Sequence, residues 1–320
     1  MKLGVIGGAG RLGATTAFCV GLRNCVEEIK LMDVKENYAA ANVMDMSQAF
    51  LPVSRTKVSL AKSYADFADC DIMLSAAAKP FSKDIKDRAQ ELQMNVEIIR
   101  PICEKLKKHC RPSTVVIVSA NPVDVFVYIY QKLLGWDERQ FLGLAGNDTI
   151  RLKWAAAMVT GKDYANIGAV CIGEHGGGAV RLYDSMTYGD LPMNLTDEQK
   201  KRIERECADW FGHWTDLETG TTTGYTSGVT MSMMIEAIAI DSDLVLPCST
   251  LLCEQMGYPD CAMGLPVRLG KGGAKEVILP ALTAEQKTEL DKAAAKISGM
   301  ISQTGCLPDT GKALGMPALS

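Results

Sequence analysis

Short apolar runs alternate with longer helical stretches through the first half of the chain. The apolar runs predict strands near 57–60, 71–76, 114–119 and 140–144, in addition to two strands within 3–33. The stretches between them predict helices near 37–50, 87–109 and 122–134. Alternation of this kind is typical of βαβ units, which have right-handed crossovers and a parallel sheet.

The pattern in the second half is mixed. It predicts helices near 147–160, 196–212, 226–240 and 283–302, and strands near 166–173, 180–183, 244–253 and 264–278. We therefore expect an α/β protein with an N-terminal Rossmann doubly wound parallel sheet over 1–145 and a C-terminal mixed α+β domain over 146–320. No Pro/Ser-rich linker separates the halves, so we expect the functional site in the cleft between them.

A glycine-rich turn follows the first predicted strand. With its flanking strand and helix it matches the GxGxxG pattern, in which glycines allow a tight turn and the helix N-terminus attracts phosphates. An acid, Asp33, ends the second strand 20 positions after Gly13, where it would bind ribose hydroxyls and repel a 2′-phosphate. The unit therefore predicts NAD binding, with NADP, tolerated through Lys35, as the minor alternative. The expected cofactor contacts in the turn are Gly8, Gly10, Arg11, Leu12 and Gly13.

Three further residues have side chains suited to proton transfer and to the binding of a carboxylate. Asp148 and Arg151 are three positions apart, so on a helix both project from one face. His175 lies between glycines that let the backbone pass close to a ligand. A carboxylate near an imidazole favours the charged ring, which is a proton donor near neutral pH. A guanidinium binds a substrate carboxylate with two parallel hydrogen bonds.

Composition narrows the class of protein. A length of 320 residues, 47% hydrophobic and 22% charged, is ordinary for a globular protein, and a net charge of −4 argues against a nucleic-acid partner. The apolar segment 231–246 contains three acids, so we expect no membrane span. Eleven cysteines, without an expected signal peptide, indicate a reducing, cytoplasmic location. None of the cysteines has zinc-finger spacing, so no metal is expected.

Several short motifs, in order along nearly the whole chain, resemble those of one family. These motifs are the segments 44–49, 119–124, 146–151, 173–176, 224–227 and 258–273. Through them the chain is similar to the lactate/malate dehydrogenases, NAD-dependent oxidoreductases that interconvert 2-oxo acids and L-2-hydroxy acids.

The resemblance implies a role for each matching residue. His175 resembles the general acid that protonates the ketone oxygen during hydride transfer from NADH, and the base in the reverse direction. Asp148 resembles its partner, which stabilises the imidazolium, and Arg151 resembles the clamp for the substrate carboxylate. The family also implies homodimers or homotetramers.

Three more roles follow from the same resemblance. Arg88, seven positions before Asn95, resembles an arginine on a mobile loop that polarises the substrate carbonyl. Asn121 resembles a hydrogen-bond donor near the nicotinamide and the substrate. Thr226 resembles a residue that lines the substrate pocket.

The loop before Arg88 departs from the family pattern and is about two residues longer. The family's specificity position falls on Ser82 when counted back from Arg88 and on Pro80 when counted forward from the strand, and neither is a guanidinium. A longer loop with Phe81 favours a bulky apolar (branched or aromatic) or lactate-like side chain on the substrate. Gly177, where the family usually has aspartate, leaves the fine geometry of the site open.

Three alternatives stay open. The first is a malate dehydrogenase in which Lys79 or Lys83 replaces the usual specificity arginine. The second is an enzyme related to the NAD-dependent glycosidases, which require a metal-binding cysteine and histidine. The third is a non-catalytic NAD-binding sensor, which would have no need for Arg88, Asp148, Arg151 and His175 together.

Overall fold

A computed structural model describes residues 1–78, 88–218, 223–258 and 260–305, without the side chains of 88–91, 211, 215 and 255. The strands are β1 (Lys2–Ile6), β2 (Glu28–Met32), β3 (Lys57–Leu60), β4 (Ile72–Ser75), β5 (Val115–Val118), β6 (Phe141–Leu144), β7 (Ile167–Gly168), β8 (Cys171–Gly173), β9 (Ala179–Arg181), β10 (Thr187–Tyr188), β11 (Leu191–Pro192), β12 (Val245–Thr250), β13 (Met263–Gly270) and β14 (Gly273–Val277). The helices are α1 (Arg11–Arg23), α2 (Glu36–Ala49), α3 (Arg88–His109), α4 (Val123–Leu134), α5 (Gly146–Thr160), α6 (Asp197–Asp216), α7 (Tyr225–Ala239) and α8 (Ala284–Gln303).

The first six strands form a parallel sheet in the order β3-β2-β1-β4-β5-β6. β4, β5 and β6 are buried along their whole length, because helices cover both faces of the sheet. Continuous burial explains why these strands are unbroken apolar runs rather than alternating ones. The predicted doubly wound sheet is confirmed.

The sheet continues beyond β6 with antiparallel strands. β12 pairs with β6, and the strand order from there is β12-β13-β8-β9. β14 forms a further pair with β13. A small separate sheet, β11-β10-β7, was not predicted in full. Its strands β10 and β11 have only two residues each, too few for any period to be visible in the sequence.

The ends of strands and helices place the residues with chemical roles. β1 ends at Ile6, directly before the glycine turn, and β8 ends at Gly173, two residues before His175. α7 packs on α1, where a Cβ on Gly228 would meet the side chain of Thr15. Among the helices that the structure describes, none is long and apolar enough to cross a membrane.

Candidate active site

The glycine turn brings the backbone back against the start of α1. Gly7 has a φ of +90°, and the amides of Gly7 and Gly8 both donate to the carbonyl oxygen of Met32 at 2.9 Å. A Cβ on Gly13 would overlap the carbonyl oxygen of Gly7. Only a chain without side chains at these points can turn so tightly, and the turn leads into a helix N-terminus suited to phosphates.

Asp33 faces this turn from the end of β2. Its Oδ2 accepts a hydrogen bond from the amide of Ala9 at 3.0 Å, and its Oδ1 accepts one from the amide of Lys35 at 2.9 Å. The carboxylate is therefore fixed beside the glycines by backbone amides from both sides. This arrangement of a tight turn and a fixed acid fits the diphosphate and ribose of NAD.

His175 and Asp148 form a buried pair. Nδ1 of His175 lies 2.6 Å from Oδ2 of Asp148, and the two side chains are 9% and 10% exposed. The same carboxylate oxygen accepts a hydrogen bond of 3.3 Å from the amide of Gly176. Because Asp148 occupies Nδ1, Nε2 is the ring nitrogen left for a ligand.

The surroundings of His175 favour its protonated form. Burial by itself lowers the pKa of the ring, since a charge is costly away from water. The negative charge of Asp148 and its hydrogen bond to the ring outweigh burial, so the pKa lies above its ordinary value of 6.5. His175 is therefore suited to give up a proton near neutral pH.

A second acid, Asp124 on α4, holds the backbone of the same segment. Its Oδ2 accepts a hydrogen bond of 2.8 Å from the amide of His175, and its Oδ1 accepts one of 2.5 Å from the hydroxyl of Ser249 on β12. Asp124 is only 2% exposed. Burial raises its pKa to about 6, although both hydrogen bonds oppose this rise.

A third contact to the segment that carries His175 comes from α8. The carboxylate of Glu174, directly before His175, is buried and forms an ion pair of 2.6 Å with Lys296. A Cβ on Gly178 would overlap Oε2 of Glu174, so the following turn closes tightly over this carboxylate. The segment that carries His175 is thus fixed by α4, α5 and α8.

Arg151 lies one helical turn after Asp148. Its Nη1 is 3.5 Å from Oδ1 of Asp148, and its Cζ lies over the ring of Trp210 on α6, 4.1 Å from the ring centre. The Arg151 side chain is 25% exposed, so a ligand can still reach it.

The other predicted site residues are placed by their own elements. Asn121 is exposed and forms a cis peptide bond with Pro122 before α4, while Thr226 is exposed on the first turn of α7. No hydrogen bond between described residues joins the side chains of Asn121 or Thr226 to the cluster around His175. Arg88 begins α3, but its side chain and the loop 79–87 lie outside the described residues.

Sequence reasoning assigned no role to five residues of this cluster. Asp124 and Glu174 carried a signal, because they lie in two motifs of the family resemblance, 119–124 and 173–176. The others, Ser249, Lys296 and Trp210, carried none, since each reaches the site from an element far away in sequence.

Two family models together match nearly the whole chain. Residues 1–143 match the model described as lactate/malate dehydrogenase, NAD binding domain. Residues 147–304 match the model described as lactate/malate dehydrogenase, alpha/beta C-terminal domain.

Individual relatives agree with these models. A malate dehydrogenase of Salinibacter ruber is 31% identical over 317 residues, covering 98% of this chain and 99% of its own. The crystal structure of malate dehydrogenase from the same organism superposes with a TM-score of 0.86 at 30% identity, covering 98% and 100% of the chains. A lactate dehydrogenase of Cryptosporidium parvum, in complex with lactic acid and NAD, superposes with a TM-score of 0.87 at 27% identity, covering 96% and 98%.

Proposed function

Given that the chain belongs to the lactate/malate dehydrogenase family and is an NAD-dependent dehydrogenase, we propose that His175 carries the proton in the interconversion of a 2-oxo acid and an L-2-hydroxy acid. The observation that supports this most is the buried pair of His175 and Asp148 at 2.6 Å, with the guanidinium of Arg151 beside it. The pair provides a proton donor and the guanidinium provides a site for a carboxylate, which are the two groups that a 2-oxo acid needs.

The glycine turn and Asp33 would hold NADH, which when bound would supply the hydride for the ketone carbon. Arg151 binds the substrate carboxylate through the edges of its guanidinium and so sets the position of the ketone. His175 donates the proton on Nε2 to the ketone oxygen and keeps Nδ1–H on Asp148. In the reverse direction the neutral ring accepts that proton from the hydroxyl group.

We assign three further roles as part of this proposal. Arg88 polarises the ketone from the start of α3, Asn121 donates a hydrogen bond near the nicotinamide and substrate, and Thr226 lines the pocket. The expected cofactor contacts are again Gly8, Gly10, Arg11, Leu12, Gly13 and Asp33. Support comes from the placement of the glycines and Asp33 around one tight turn.

For the substrate side chain, the first candidate is a bulky apolar or lactate-like group. It is supported by the sequence of the loop 79–87, where neither Pro80 nor Ser82 provides a guanidinium and Phe81 adds an apolar ring. A second carboxylate would then have no arginine to bind it.

The second candidate is oxaloacetate, favoured by the relatives that carry the name malate dehydrogenase. In that case Lys79 or Lys83 supplies the positive charge that the second carboxylate requires. A lysine binds as a point charge rather than with a bidentate fork, so discrimination against monocarboxylates would be weaker.

One kinetic panel separates these candidates. NADH oxidation is measured with pyruvate, oxaloacetate, 2-oxoisocaproate and phenylpyruvate, and kcat/KM is compared. Preference for the two bulky acids supports the first candidate, and strong preference for oxaloacetate supports the second. No turnover with any of the four would contradict the proposed reaction.

We also propose that the active form is a homodimer or homotetramer in the cytoplasm. Phe18 and Leu22 of α1 are 39% and 47% exposed, and Phe18 stacks on Phe50 with ring centres 5.8 Å apart. Leu51 and Val53, directly after Phe50, are 81% and 56% exposed. An apolar surface of this kind suits a second copy of the chain, and light scattering of the purified protein tests it. The eleven cysteines favour a reducing compartment.

We propose that the boundary between the two domains lies between residues 145 and 146. β6 ends at Leu144 and α5 begins at Gly146, so the chain leaves the parallel sheet at this point. Separate expression of residues 1–145 and measurement of NADH binding would test whether this half is an independent unit.

A further inference from the structure

Among the residues that the structure describes, two neighbours restrain the guanidinium of Arg151 in different ways. Asp148 meets one edge, with Nη1 and Oδ1 3.5 Å apart, which is at the outer limit of a hydrogen bond. Trp210 meets the face, with Cζ 4.1 Å from the ring centre, well within the range of a cation–π contact. The edge contact is therefore weak and the face contact is close.

Asp148 restrains Arg151 only weakly, because contacts to its other oxygen, Oδ2, set the orientation of the carboxylate. Its Oδ2 lies 2.6 Å from the ring of His175 and accepts a second hydrogen bond from the amide of Gly176. The orientation of the carboxylate is thus set by the proton-transfer pair. Arg151 needs another partner to fix the plane of its guanidinium.

We propose that Trp210 is a positioning residue that holds Arg151 ready for the substrate carboxylate. A guanidinium with an indole over its face is limited in rotation, while its N–H groups remain in the plane and point away from the ring. Those edges are the groups that bind a carboxylate with two parallel hydrogen bonds. The inference rests on the proposed function, in which Arg151 is the clamp.

An aromatic ring suits this task better than a second acid. A carboxylate in the place of Trp210 would neutralise Arg151 and reduce its attraction for an anionic substrate. The indole restrains the guanidinium without adding a negative charge. Arg151 therefore keeps its positive charge for the substrate, and its side chain remains 25% exposed.

Replacement of the ring by an aliphatic side chain tests the proposal. In Trp210→Leu we expect the KM of the preferred 2-oxo acid to rise about tenfold, equivalent to about 1.4 kcal/mol, with kcat and the KM of NADH within twofold of wild type. Trp210→Phe keeps an aromatic face and should hold the KM within threefold. Trp154→Leu, a change at a 41% exposed tryptophan of α5, is the matched control and should leave the KM unchanged.

A binding measurement gives a second readout that is independent of turnover. Oxamate has the carboxylate of pyruvate but an amide carbonyl that does not accept hydride, and its Kd is measured by calorimetry on the NADH-loaded protein. We expect about a tenfold weaker Kd in Trp210→Leu and near wild-type binding in Trp210→Phe and Trp154→Leu.

The outcomes separate this inference from the proposed function. If the wild type reduces a 2-oxo acid and Trp210→Leu has unchanged KM and oxamate affinity, the proposed role of Trp210 is contradicted. The proposed reaction is then still supported. An equal loss of NADH and oxamate binding in Trp210→Leu would indicate a general structural defect and would also overturn it. A wild type with no activity towards any 2-oxo acid would overturn both.

Discussion

The cofactor turn is built from backbone within one βαβ unit, whereas the chemical site is built from side chains of distant elements. At the turn, the amides of Gly7, Gly8 and Ala9 make the decisive contacts within the first 33 residues. At the chemical site, the backbone of His175 is held by Asp124, 51 positions earlier, and Asp124 is held by Ser249, 125 positions later. The first site depends on small local residues, and the second depends on the fold being complete.

This difference implies that each site can be damaged without loss of the other. Substitution of a chemical side chain should leave NADH binding intact, because none of these side chains shapes the glycine turn. Substitution of a turn glycine should weaken NADH binding, because backbone geometry cannot be supplied from elsewhere.

The largest effect is expected from removal of the proton donor. His175→Asn keeps the size of the side chain but cannot exchange a proton, so kcat/KM should fall about a thousandfold. The Kd of NADH, measured by fluorescence, should stay within twofold. His213→Asn, at an exposed histidine of α6, is the control. Undiminished turnover in His175→Asn would contradict the assigned role and would mean that another group carries the proton.

The second-largest loss of activity is expected from substitution of Asp148, the partner of His175. Asp148→Asn removes the charge that keeps the pKa of His175 above its ordinary value, so the pKa falls. Because reduction requires the protonated ring, activity decreases as the pH rises through this pKa, and the midpoint should move to lower pH in the variant. We also expect about a hundredfold lower kcat/KM at pH 7.5.

The pH profile of kcat/KM for reduction checks this expectation. Asp190→Asn, at an exposed aspartate between β10 and β11, should leave both the midpoint and the rate unchanged. A midpoint that stays in place or moves upward in Asp148→Asn would mean that another group sets the pKa.

The opposite result, weaker cofactor binding with the proton-transfer pair intact, is expected from a substitution in the cofactor turn. In Gly13→Ala the new methyl group would overlap the carbonyl oxygen of Gly7, so the turn must open at a cost of about 1–3 kcal/mol. We expect NADH affinity to fall about tenfold while the pH midpoint of the remaining activity stays that of wild type. Gly299→Ala on α8, where a Cβ meets no neighbour within 4 Å, is the control for a glycine change as such.

The difference between a turn built locally and a site built from distant elements also determines what could be predicted from the sequence. The glycine turn and Asp33 were predicted as a unit, because a strand, a turn, a helix and a second strand follow one another without interruption. Asp148 and Arg151 were predicted on one helix face; both lie on α5, with Nη1 of Arg151 3.5 Å from Oδ1 of Asp148. The parallel sheet followed from the apolar runs, since buried strands leave a continuous signal.

Contacts between distant elements could not be predicted. Ser249 lies in a strand that joins the sheet antiparallel to β6, and its hydroxyl reaches Asp124 only after that pairing is made. Lys296 and Trp210 meet the site through the packing of α8 and α6, which no period in the sequence encodes. The roles assigned to Asn121, Thr226 and Arg88 stay predictions.

The smallest effect is expected from Asp124, whose role is to hold backbone rather than to react. Its pKa is about 6 in the folded protein against an ordinary value of 3.8, so the folded state binds more protons than the unfolded state between these values. The stability that protonated Asp124 contributes is complete below pH 3.8 and is lost as the pH rises through 6. Asp124→Asn does not titrate, and its amide can still accept from His175 and donate to Ser249.

The Tm of Asp124→Asn relative to wild type should therefore rise by a few degrees between pH 4.5 and pH 7. Kinetic constants at pH 7 should change less than tenfold, because His175 and Asp148 are retained. If the difference in Tm does not vary with pH, Asp124 is already ionised across this range, and its hydrogen bonds to His175 and Ser249 outweigh its burial. One isosteric substitution thus determines whether the acid that holds the backbone of the chemical site is protonated, whereas at the cofactor turn backbone amides hold the carboxylate of Asp33.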